Sequence, residues 1–303
     1  MIQYLNALKQ VLEQGEQTDD RTGVGTISLF GMQQRYDLSK SFPAVTTKKL
    51  AWRACVGELL WMIEGSGNER RLAEITHGTS DGTVTIWTPN ALAPYWKPHA
   101  QSEGDLGRVY GVQWRHWRTA QHVKSGSFKN DSGSYFSVQG GIQEVETDQL
   151  RNLIEGIKRD PHGRRHILSA WNPGELDQMA LPPCHVLAQF YVSKDGKLSC
   201  QMYQRSMDTY LGGPFNIASY SLLTHMIAQV CGLGVGKFIH VIGDAHIYLN
   251  HIEQVKEQLS RGPLPAPQLW LNPDISDITK FTMDDIKLLN YQSHPSLPAP
   301  MAV

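Results

Sequence analysis

Residues 181–216 read LPPCHVLAQFYVSKDGKLSCQMYQRSMDTYLGGPFN, and this stretch decides the fold because it predicts two neighbouring strands. Over 197–205 apolar residues alternate with polar ones, and a period of two is typical of a strand with one buried face. The apolar run over 186–192 predicts the strand that precedes it. Polar motifs stand at the ends of both strands, so we expect these ends to lie together and to carry a functional site.

The two polar motifs contain residue types that an apolar core does not need. In the first, Cys184 stands beside His185 after two prolines. The second, over 204–216, combines a cation, a hydroxyl, a carboxylate, a Gly-Gly-Pro turn and a carboxamide. Such groups are rarely buried without a partner. Together the motifs predict a site that binds a phosphorylated, hydrogen-bonding substrate and attacks it with sulfur.

Hydrophobic periodicity predicts the remaining elements on either side of this stretch. Helices are predicted over 2–14, 50–64, 148–159, 215–231 and 245–261, and strands over 26–30, 33–38 and 166–171. Thr46 or Thr47 is expected to cap the second of these helices. Strands and helices mix without strict alternation, which favours an α/β or α+β fold with a mixed β-sheet flanked by helices.

The length of 303 residues suits either one large domain or two smaller ones. The segments 76–107 and 119–147 are rich in residues that favour loops, and we interpret both as surface insertions. Functional signals continue on both sides of each segment, so we expect the insertions to interrupt one catalytic domain, 1–303, rather than to divide two.

Composition limits the classes of partner. The chain is 41% hydrophobic and 19% charged with a net charge of −1, which argues against a general nucleic-acid coat and against an anionic membrane surface. The beginning of the chain does not resemble a signal peptide, and no apolar run approaches membrane-spanning length. Its four cysteines lie far apart without a CxxC pair, which predicts neither a zinc site nor a disulfide framework. We therefore expect a reduced, cytoplasmic protein without a metal.

Cys184 is the candidate nucleophile. Most cysteines in such proteins are small buried hydrophobic residues, and Cys184 alone would be read in that way. Arg205, however, ends the predicted neighbouring strand, and a nearby guanidinium favours the nucleophilic thiolate. Cys55, Cys200 and Cys231 lie in apolar, regular segments and are assigned to packing.

Four arginines and a serine are candidate ligands of a phosphate monoester. Arg21, Arg164, Arg165 and Arg205 each follow a polar or turn-prone stretch, and Ser206 adds a hydroxyl beside the last of them. Forked guanidinium donors match the geometry of phosphate oxygens. Scattered arginines are more often solvated surface residues, so the assignment depends on their proximity to the cysteine motif.

Asn216 is a candidate for recognising a nucleobase, and Glu58 is a candidate for proton transfer. The carboxamide of Asn216 offers one acceptor and one donor group, which match the N3–H and O4 of a uracil ring, although an isolated asparagine at this position would more simply cap the following helix. Glu58 lies in an apolar helical stretch, where a carboxylate is costly to bury unless it is paired or protonated. This marks it as a possible acid or base.

At this point the chain closely resembles the thymidylate synthase family over nearly its whole length. The matching segments are DRTG at 20–23, FPAVTTKK at 42–49, ELLW at 58–61, VYGVQWR at 109–115, RR at 164–165, SAWN at 169–172, PCH at 183–185, QRS at 204–206, PFNIASY at 214–220, HIY at 246–248 and APMAV at 299–303. Long, ordered matches of this kind are far more specific than any single motif.

The resemblance implies a homodimer of α/β protomers whose sheets pack together, with dUMP as substrate and 5,10-methylenetetrahydrofolate as one-carbon donor. It makes Cys184 the nucleophile that adds to C6 of uracil and Asn216 the reader of the base. The phosphate ligands that it implies are Arg21, Arg205 and Ser206, with Arg164 and Arg165 donated by the other protomer. His246 and Tyr248 match ribose contacts, and Glu58, Tyr110 and His185 match the proton-handling network.

The resemblance also implies a folate side of the site. Its residues are Trp87, Asp208, Gly212, Phe215, Tyr248 and the C-terminal segment with Met301 and Ala302, and Asp208 also borders the nucleotide. Closure of the C-terminus is expected to exclude water while hydride from the folate reduces a methylene group bound to the nucleotide. The expected products are dTMP and dihydrofolate.

Four departures from the family pattern leave the product open. Thr88-Pro89-Asn90 replace acidic and aromatic residues after Trp87, Gly213 replaces a bulky aliphatic residue, and Ile242 and Ala245 alter the segment before His246. If these changes admit water, the methylene group is hydrated and the product is 5-hydroxymethyl-dUMP. A non-catalytic homologue that binds nucleotide or RNA is a further alternative, which the retained polar residues disfavour.

Overall fold

A computed structural model of the chain describes residues 1–20, 22–129, 135–138 and 140–301. The α-helices are α1 Ile2–Gln14, α2 Trp52–Glu64, α3 Glu69–His77, α4 Thr88–Ala91, α5 Gly111–Arg115, α6 Gln149–Arg159, α7 Gly212–Val230 and α8 Ile252–Ser260. The strands are β1 Glu16–Thr18, β2 Thr26–Asp37, β3 Trp117–Val123, β4 Gly126–Lys129, β5 Tyr135–Val138, β6 Gly141–Thr147, β7 Ile167–Ser169, β8 His185–Val192, β9 Lys197–Asp208, β10 Gly234–Tyr248, β11 Gln268–Leu271 and β12 Ile286–Leu289.

A six-stranded sheet in the order β1-β2-β10-β9-β8-β7 organises the fold. Strands β9 and β10 run parallel to each other, and the remaining neighbours in this sheet are antiparallel. The sheet is therefore mixed, and helices flank it, as the sequence predicts. The antiparallel β8–β9 pair places the start of β8, which follows Cys184, beside the end of β9, which carries Arg205.

The two faces of the sheet differ. Helix α7 packs against β9 and β10 on one face, and most of its side chains are buried. On other positions of the sheet large side chains are exposed: Phe30 at 81%, Tyr191 at 60% and Ile167 at 46% of their surface. Large apolar side chains that are exposed on a sheet are often part of an interaction surface.

Several predicted elements differ from the structure. The predicted strands at 26–30 and 33–38 form one continuous strand, β2, which contains Gly31 at a φ of 84°. Helix α2 begins after Ala51. The hydroxyls of Thr46 and Thr47 instead bind Leu264 and Gln258, so neither threonine caps this helix.

The largest difference lies at residues 234–248. The predicted helix at 245–261 is wrong over its first residues, because 245–248 belong to the long strand β10 and the helix α8 begins only at Ile252. Strand β10 lies at the centre of the sheet between β2 and β9. His246 and Tyr248 are therefore strand residues whose direction is fixed by the sheet.

The two segments interpreted as insertions have different structures. Residues 76–107 contain the short helix α4, and they carry Trp87 and Trp96 into the core, where 6% and 4% of their surface is exposed. Residues 117–147 form the β3–β6 ladder and the β4–β5 pair, which are separate from the central sheet.

Candidate active site

Cys184 stands immediately before β8 and is half-buried. Its backbone N–H donates to the hydroxyl oxygen of Tyr110 at 2.8 Å, and its carbonyl accepts the N–H of Arg205 at 2.9 Å. The second contact joins the start of β8 to β9. The position of the thiol is therefore fixed by the sheet on one side and by a buried tyrosine on the other.

The guanidinium of Arg205 lies against the thiol. Its Nε and Nη2 donate to the carbonyls of Pro183 and Pro182, each at 2.9 Å, and Nη2 is 4.0 Å from Sγ of Cys184. The ring of Trp171 lies under it, with 5.5 Å between the guanidinium carbon and the ring centroid. The two prolines thus present carbonyls that hold a cation beside the sulfur, and a cation there stabilises the thiolate.

Aromatic rings pack behind Cys184. His185 lies 5.2 Å from the ring of Tyr110 and 5.2 Å from that of Tyr220. Burial lowers the pKa of His185 to about 4, and a hydrogen bond with Asn216 acts in the opposite direction, so the imidazole is neutral near pH 7. Burial likewise raises the pKa of Tyr110 well above its usual value. Both groups therefore act as neutral hydrogen-bonding partners.

Glu58 and Trp87 form the next pair. The indole Nε1–H of Trp87 donates to Oε1 of Glu58 at 2.7 Å, and the Trp87 ring packs edge-on against Tyr110 at 5.7 Å. Burial raises the pKa of Glu58, whereas the Trp87 hydrogen bond lowers it, and burial has the larger effect. A carboxyl with a raised pKa is suited to proton transfer near neutral pH.

Asn216 lies in the first turns of α7, and the helix begins four residues earlier at Gly212. Asn216 therefore does not cap this helix, and the simpler interpretation of the sequence was wrong. Its Oδ1 accepts a hydrogen bond from Nε2 of Gln204 at 2.9 Å, and Gln204 in turn contacts His240, whose Nε2 lies 2.8 Å from the Gln204 oxygen. A buried polar chain thus links the middle of the sheet to the Asn216 carboxamide.

Asp208, Gly212 and Phe215 lie around the turn between β9 and α7. Oδ1 of Asp208 accepts the N–H groups of Tyr210 and Leu211 at 2.9 and 3.0 Å. A side chain at Gly212 would meet Oδ1 of Asn216 at 3.6 Å. The thiol of Cys55 donates to the carbonyl of Phe215, with 3.8 Å between the sulfur and the oxygen.

The C-terminal segment packs beside this turn. The hydroxyl of Tyr210 donates to the carbonyl of Leu297 at 2.7 Å, and Nε2 of the buried His251 lies 2.7 Å from the carbonyl of Pro300. Met301, the next residue, is exposed at 48% of its surface. The predicted folate residues Asp208 and Gly212 therefore share a region with the end of the chain, through Tyr210.

His246 and Tyr248 stand at the end of β10, and their rings meet edge to face at 5.2 Å. Nδ1 of His246 lies 3.6 Å from a carboxylate oxygen of Asp244, which also accepts the hydroxyl of Ser28. These contacts lower the pKa of Asp244, and the largest cause is the hydrogen bond with the His246 side chain. His246 pairs with Asp208 across the β9–β10 ladder, so the predicted ribose contact adjoins the Asp208 turn.

The remaining predicted residues fall into three groups. Ser206 is half-buried on β9, next to Arg205, and its carbonyl accepts from Gln204. Arg164 and Arg165 are exposed on the loop that precedes the edge strand β7, away from the cluster around Cys184. Arg21 and Ala302 lie outside the described residues.

Sequence reasoning assigned no role to three buried polar residues of this region. Gln204 and His240 join Asn216 to the sheet, and Lys48 donates to the carbonyl of Tyr210 at 2.6 Å. Burial lowers the pKa of Lys48 to about 7, against the influence of Asp208. No local pattern marked His240, because the intervening Ile239 and Val241 are as apolar as Phe238 and Ile242.

In the described ranges 1–20, 22–129, 135–138 and 140–301, no group of three or more His, Cys, Asp or Glu side chains is arranged to hold a metal ion. Within those same ranges, no helix has both the length and the apolar character needed to cross a membrane.

Comparison with protein families agrees with the geometry. A family model described as thymidylate synthase matches residues 2–303, which is essentially the whole chain. Enzymes of this family transfer a one-carbon unit as a methyl or hydroxymethyl group and use methylenetetrahydrofolate as co-substrate. The extent of the match shows that this chain belongs to the thymidylate synthase family.

Proposed function

We propose that the protein is a thymidylate synthase that converts dUMP to dTMP with 5,10-methylenetetrahydrofolate as donor of carbon and hydride. The observation that carries this proposal is the position of Arg205, whose Nη2 lies 4.0 Å from the Cys184 sulfur. On the same strand, the neighbouring residue Gln204 holds Asn216. The residues that we assign as phosphate ligand, nucleophile and base reader are thus linked at the end of β9.

Covalent addition explains why sulfur is required. C5 of uracil is a poor nucleophile, and addition of the Cys184 thiolate to C6 converts the ring into an enolate that reacts at C5. Hydrogen-bond donors around O4 stabilise the enolate. We assign this role to Asn216 and, through water, to Glu58, whose raised pKa also suits it to proton transfer at the base.

Binding of the nucleotide is assigned to groups around the thiol. Arg205 offers forked donors to the phosphate together with Ser206, and Arg21 joins them in the proposal. His246 and Tyr248, at the end of β10, are assigned to the ribose. Tyr110 holds the backbone of Cys184, and His185 meets Asn216, so both order the site rather than carry charge.

The residues around the Asp208 turn fit the folate. The aminopyrimidinone ring of folate carries N–H donors, and Asp208 offers a half-buried carboxylate of which Oδ1 holds the turn. Gly212 places no side chain between Asp208 and Asn216, since a Cβ there would lie 3.9 Å from Asp208 Cβ and 3.6 Å from Asn216 Oδ1. Trp87, Phe215, Tyr248, Met301 and Ala302 complete the proposed folate side. The folate supplies the one-carbon unit and, for the methyl product, the hydride.

The positions of Arg164 and Arg165 support the proposal of a homodimer. Ile167 pairs with Gln189, five residues beyond Cys184, which is about 16 Å along β8 at 3.3 Å per residue. Both arginines precede Ile167 and so lie further still from their own Cys184, beyond the span of a side chain. We propose that 1–303 is one catalytic domain whose exposed sheet residues, Phe30 and Tyr191 among them, pack against a second copy that receives this arginine pair.

A cytoplasmic location is consistent with this chemistry. Cys55, Cys184, Cys200 and Cys231 form no disulfide with one another in the described part of the chain. A cysteine nucleophile needs reducing surroundings to remain a thiol. We therefore place the enzyme in the cytoplasm.

Hydroxymethylation of dUMP is the second candidate, and Gly213 favours it. A Cβ at this buried position would meet the nearest atoms, Met207 Sδ and Tyr4 Cε2, at 3.4 and 3.6 Å. The backbone there could therefore carry a side chain, and its lack leaves room beside Asp208 and Gly212. Water that entered there would hydrate the methylene group on the nucleotide.

Mass analysis of the product from dUMP and methylenetetrahydrofolate tests the proposal, with the absorbance of dihydrofolate followed in the same reaction. A methyl product with rising absorbance supports the synthase, whereas a hydroxymethyl product without that rise selects the second candidate. Binding of dUMP without release of tritium from the labelled C5 position would contradict both and favour a non-catalytic homologue.

A further inference from the structure

The histidine His240 lies at the centre of β10 with none of its surface exposed. It pairs with Gln34 on β2 and with Met202 on β9, and the ring of Phe238 packs 5.6 Å away. Its Nε2 is 2.8 Å from Oε1 of Gln204, and its Nδ1 has no hydrogen-bond partner among the described residues. Burial of a polar ring at such a site costs free energy unless a hydrogen bond compensates for it, and the contact with Gln204 is the candidate.

The direction of each hydrogen bond in this chain can be assigned. Both hydrogens of the Gln204 amide are used, because Nε2 lies 2.9 Å from the carbonyl of Ser206 and 2.9 Å from Oδ1 of Asn216. Oε1 of Gln204 can only accept, so Nε2 of His240 must carry the hydrogen. The opposite tautomer would set two lone pairs against each other and bury an N–H without an acceptor.

A neutral ring agrees with this assignment. Burial lowers the pKa of His240 to about 3, and the nearby His185 acts in the same direction. The ring therefore donates through Nε2 alone and keeps that direction throughout the neutral pH range.

Direction matters because an asparagine can read two different bases. With its NH2 toward O4 and its oxygen toward N3–H, the carboxamide matches uracil. Turned over, its oxygen accepts from the N4 amino group and its NH2 donates to N3, which matches cytosine. Asn216 therefore selects uracil only if one end of its amide is fixed.

We propose that His240 is a positioning residue for base selection, because its Nε2–H acts with the Ser206 carbonyl to hold the orientation of Gln204 and, through it, the end of the Asn216 carboxamide that faces the pyrimidine. The proposal rests on the proposed function, in which Asn216 reads the base. His240 itself touches no substrate. Its effect reaches the base through two hydrogen bonds, His240–Gln204 and Gln204–Asn216.

The test replaces His240 by phenylalanine, which fills similar space but cannot donate. Oε1 of Gln204 is then buried without a donor, which weakens the preference of the amide for its present direction, although the carbonyl of Ser206 still favours that direction. We expect the preference for dUMP over dCMP, measured as a ratio of dissociation constants by calorimetry, to fall about tenfold, the value of one hydrogen bond. His240→Gln carries an N–H at a similar position and is expected to restore most of the preference.

His225→Phe is the matched control. His225 lies on α7 and also has a buried ring nitrogen, Nε2, with no hydrogen-bond partner in the part of the chain that the structure describes, and burial lowers its pKa to about 4. It packs near Phe42 and belongs to no chain that leads to Asn216. We expect this variant to keep the nucleotide preference of the unsubstituted protein, so loss of preference in both phenylalanine variants would overturn the role of His240.

A measurement on the unsubstituted protein removes any dependence on the folding of the variants. In ¹⁵N-labelled histidine spectra we expect His240 as the neutral Nε2–H tautomer from pH 5 to pH 9, assigned by the loss of its signals in His240→Gln. A charged ring or the Nδ1–H tautomer would overturn the inference. The inference would also be overturned if folded His240→Phe kept the ratio of dissociation constants for dUMP and dCMP unchanged. In that case turnover of dUMP would still support the proposed function. Failure of the unsubstituted protein to bind dUMP would instead overturn the proposed function and this inference together.

Discussion

The indole of Trp87 and the carboxylate of Glu58 are joined by a hydrogen bond of 2.7 Å, donated by Nε1. Trp87 comes from the irregular segment before α4, and Glu58 comes from the middle of α2. Burial raises the pKa of the carboxyl, and the indole partly offsets this by stabilising the charged form. The pair therefore sets how readily Glu58 gains and loses a proton.

Replacement of Glu58 by glutamine is expected to abolish turnover and to raise thermal stability at neutral and higher pH. Because the folded pKa lies above the unfolded value of 4.5, the folded state holds this proton more tightly. Stability from this group is complete below the unfolded pKa and is lost as pH rises through the folded pKa. The melting temperature of Glu58→Gln relative to the unsubstituted protein should thus increase with pH.

The control for this measurement is Glu155→Gln. Glu155 is exposed on α6 and pairs with Arg151 one turn away, so its removal should change stability little. If the melting temperature of Glu58→Gln fell relative to the unsubstituted protein as pH rose, the carboxylate of Glu58 would be stabilising and the assigned direction of its pKa would be wrong.

Cys184→Ser should lose turnover by several orders of magnitude and should keep most of its affinity for dUMP. Serine preserves the size of the side chain but is a much weaker nucleophile near neutral pH. Initial rates and calorimetric binding of dUMP measure the two effects separately. A variant with normal turnover would remove Cys184 from the proposed reaction.

Alkylation by iodoacetamide near pH 7.5 provides an independent readout of the same thiol. Burial raises the pKa of Cys200 to about 12 and that of Cys231 to about 11, and it raises the pKa of the buried Cys55 as well. Cys184 should therefore react first, and dUMP should protect it. Cys231→Ser, at another half-buried position, serves as the control with unchanged activity.

Local patterns in the sequence were sufficient for many elements. Helix α1 has the predicted bounds, and strands β8 and β9 lie where an apolar run and an alternating pattern, respectively, predict them. Strand β10 was missed because it lies between β2 and β9, with partners far away in the sequence. Central strands read as apolar runs without clear alternation. The last residues of β10 also match the helical spacing that continues into α8.

The candidate site likewise contains residues that local patterns predict and residues whose contacts depend on distant parts of the chain. Cys184 and Arg205 were identified because two short motifs flank one antiparallel pair of strands. The link from His240 through Gln204 to Asn216 depends on the register between β9 and β10, which no local pattern states. Residues donated across a dimer interface, as proposed for Arg164 and Arg165, depend on a second copy of the chain and are out of reach of local patterns.

Arg205→Lys should reduce kcat/KM for dUMP by about 10-fold to 100-fold, since hydrogen bonds to charged groups contribute about 1.5–3 kcal/mol. Lysine keeps the charge but cannot donate to Pro182 and Pro183 while it also faces the thiol and a phosphate. We expect both a higher KM and a slower reaction of the thiol with iodoacetamide. Arg151→Lys, on exposed α6, is the control, and equal effects in the two variants would contradict a specific role for Arg205.

Asn216→Asp should shift the preference from dUMP toward dCMP. A carboxylate accepts from the N4 amino group of cytosine but repels O4 of uracil, and Nε2 of Gln204 can still donate to it. The ratio of dissociation constants for the two nucleotides measures the shift. Asn250→Asp adds the same charge at an exposed position, so a shift of equal size there would mean that charge alone is responsible.

Gly213→Ala tests whether the space beside the Asp208 turn admits water. Gly213 lies in the first turn of α7, and an added methyl group would make ordinary contacts with Met207 and Tyr4 at 3.4 and 3.6 Å. Alanine in place of a helical glycine should stabilise the fold by about 0.5–1 kcal/mol. Chemical denaturation measures this gain. Mass analysis of the product should show a smaller fraction of hydroxymethyl nucleotide, if the unsubstituted enzyme forms any, and no loss of methyl product.

Gly262→Ala is the matched control, because a methyl group there would meet no atom within 4 Å. It lies in the loop after α8, away from the Asp208 turn, and should leave the product ratio unchanged. A hydroxymethyl fraction that stays constant in Gly213→Ala, while its stability rises as expected, would show that water reaches the methylene group by another path. Since the methyl group fills only the space beside Met207, Tyr4 and the carbonyl of Asp208, that outcome would direct attention to Thr88, Pro89 and Asn90 after Trp87.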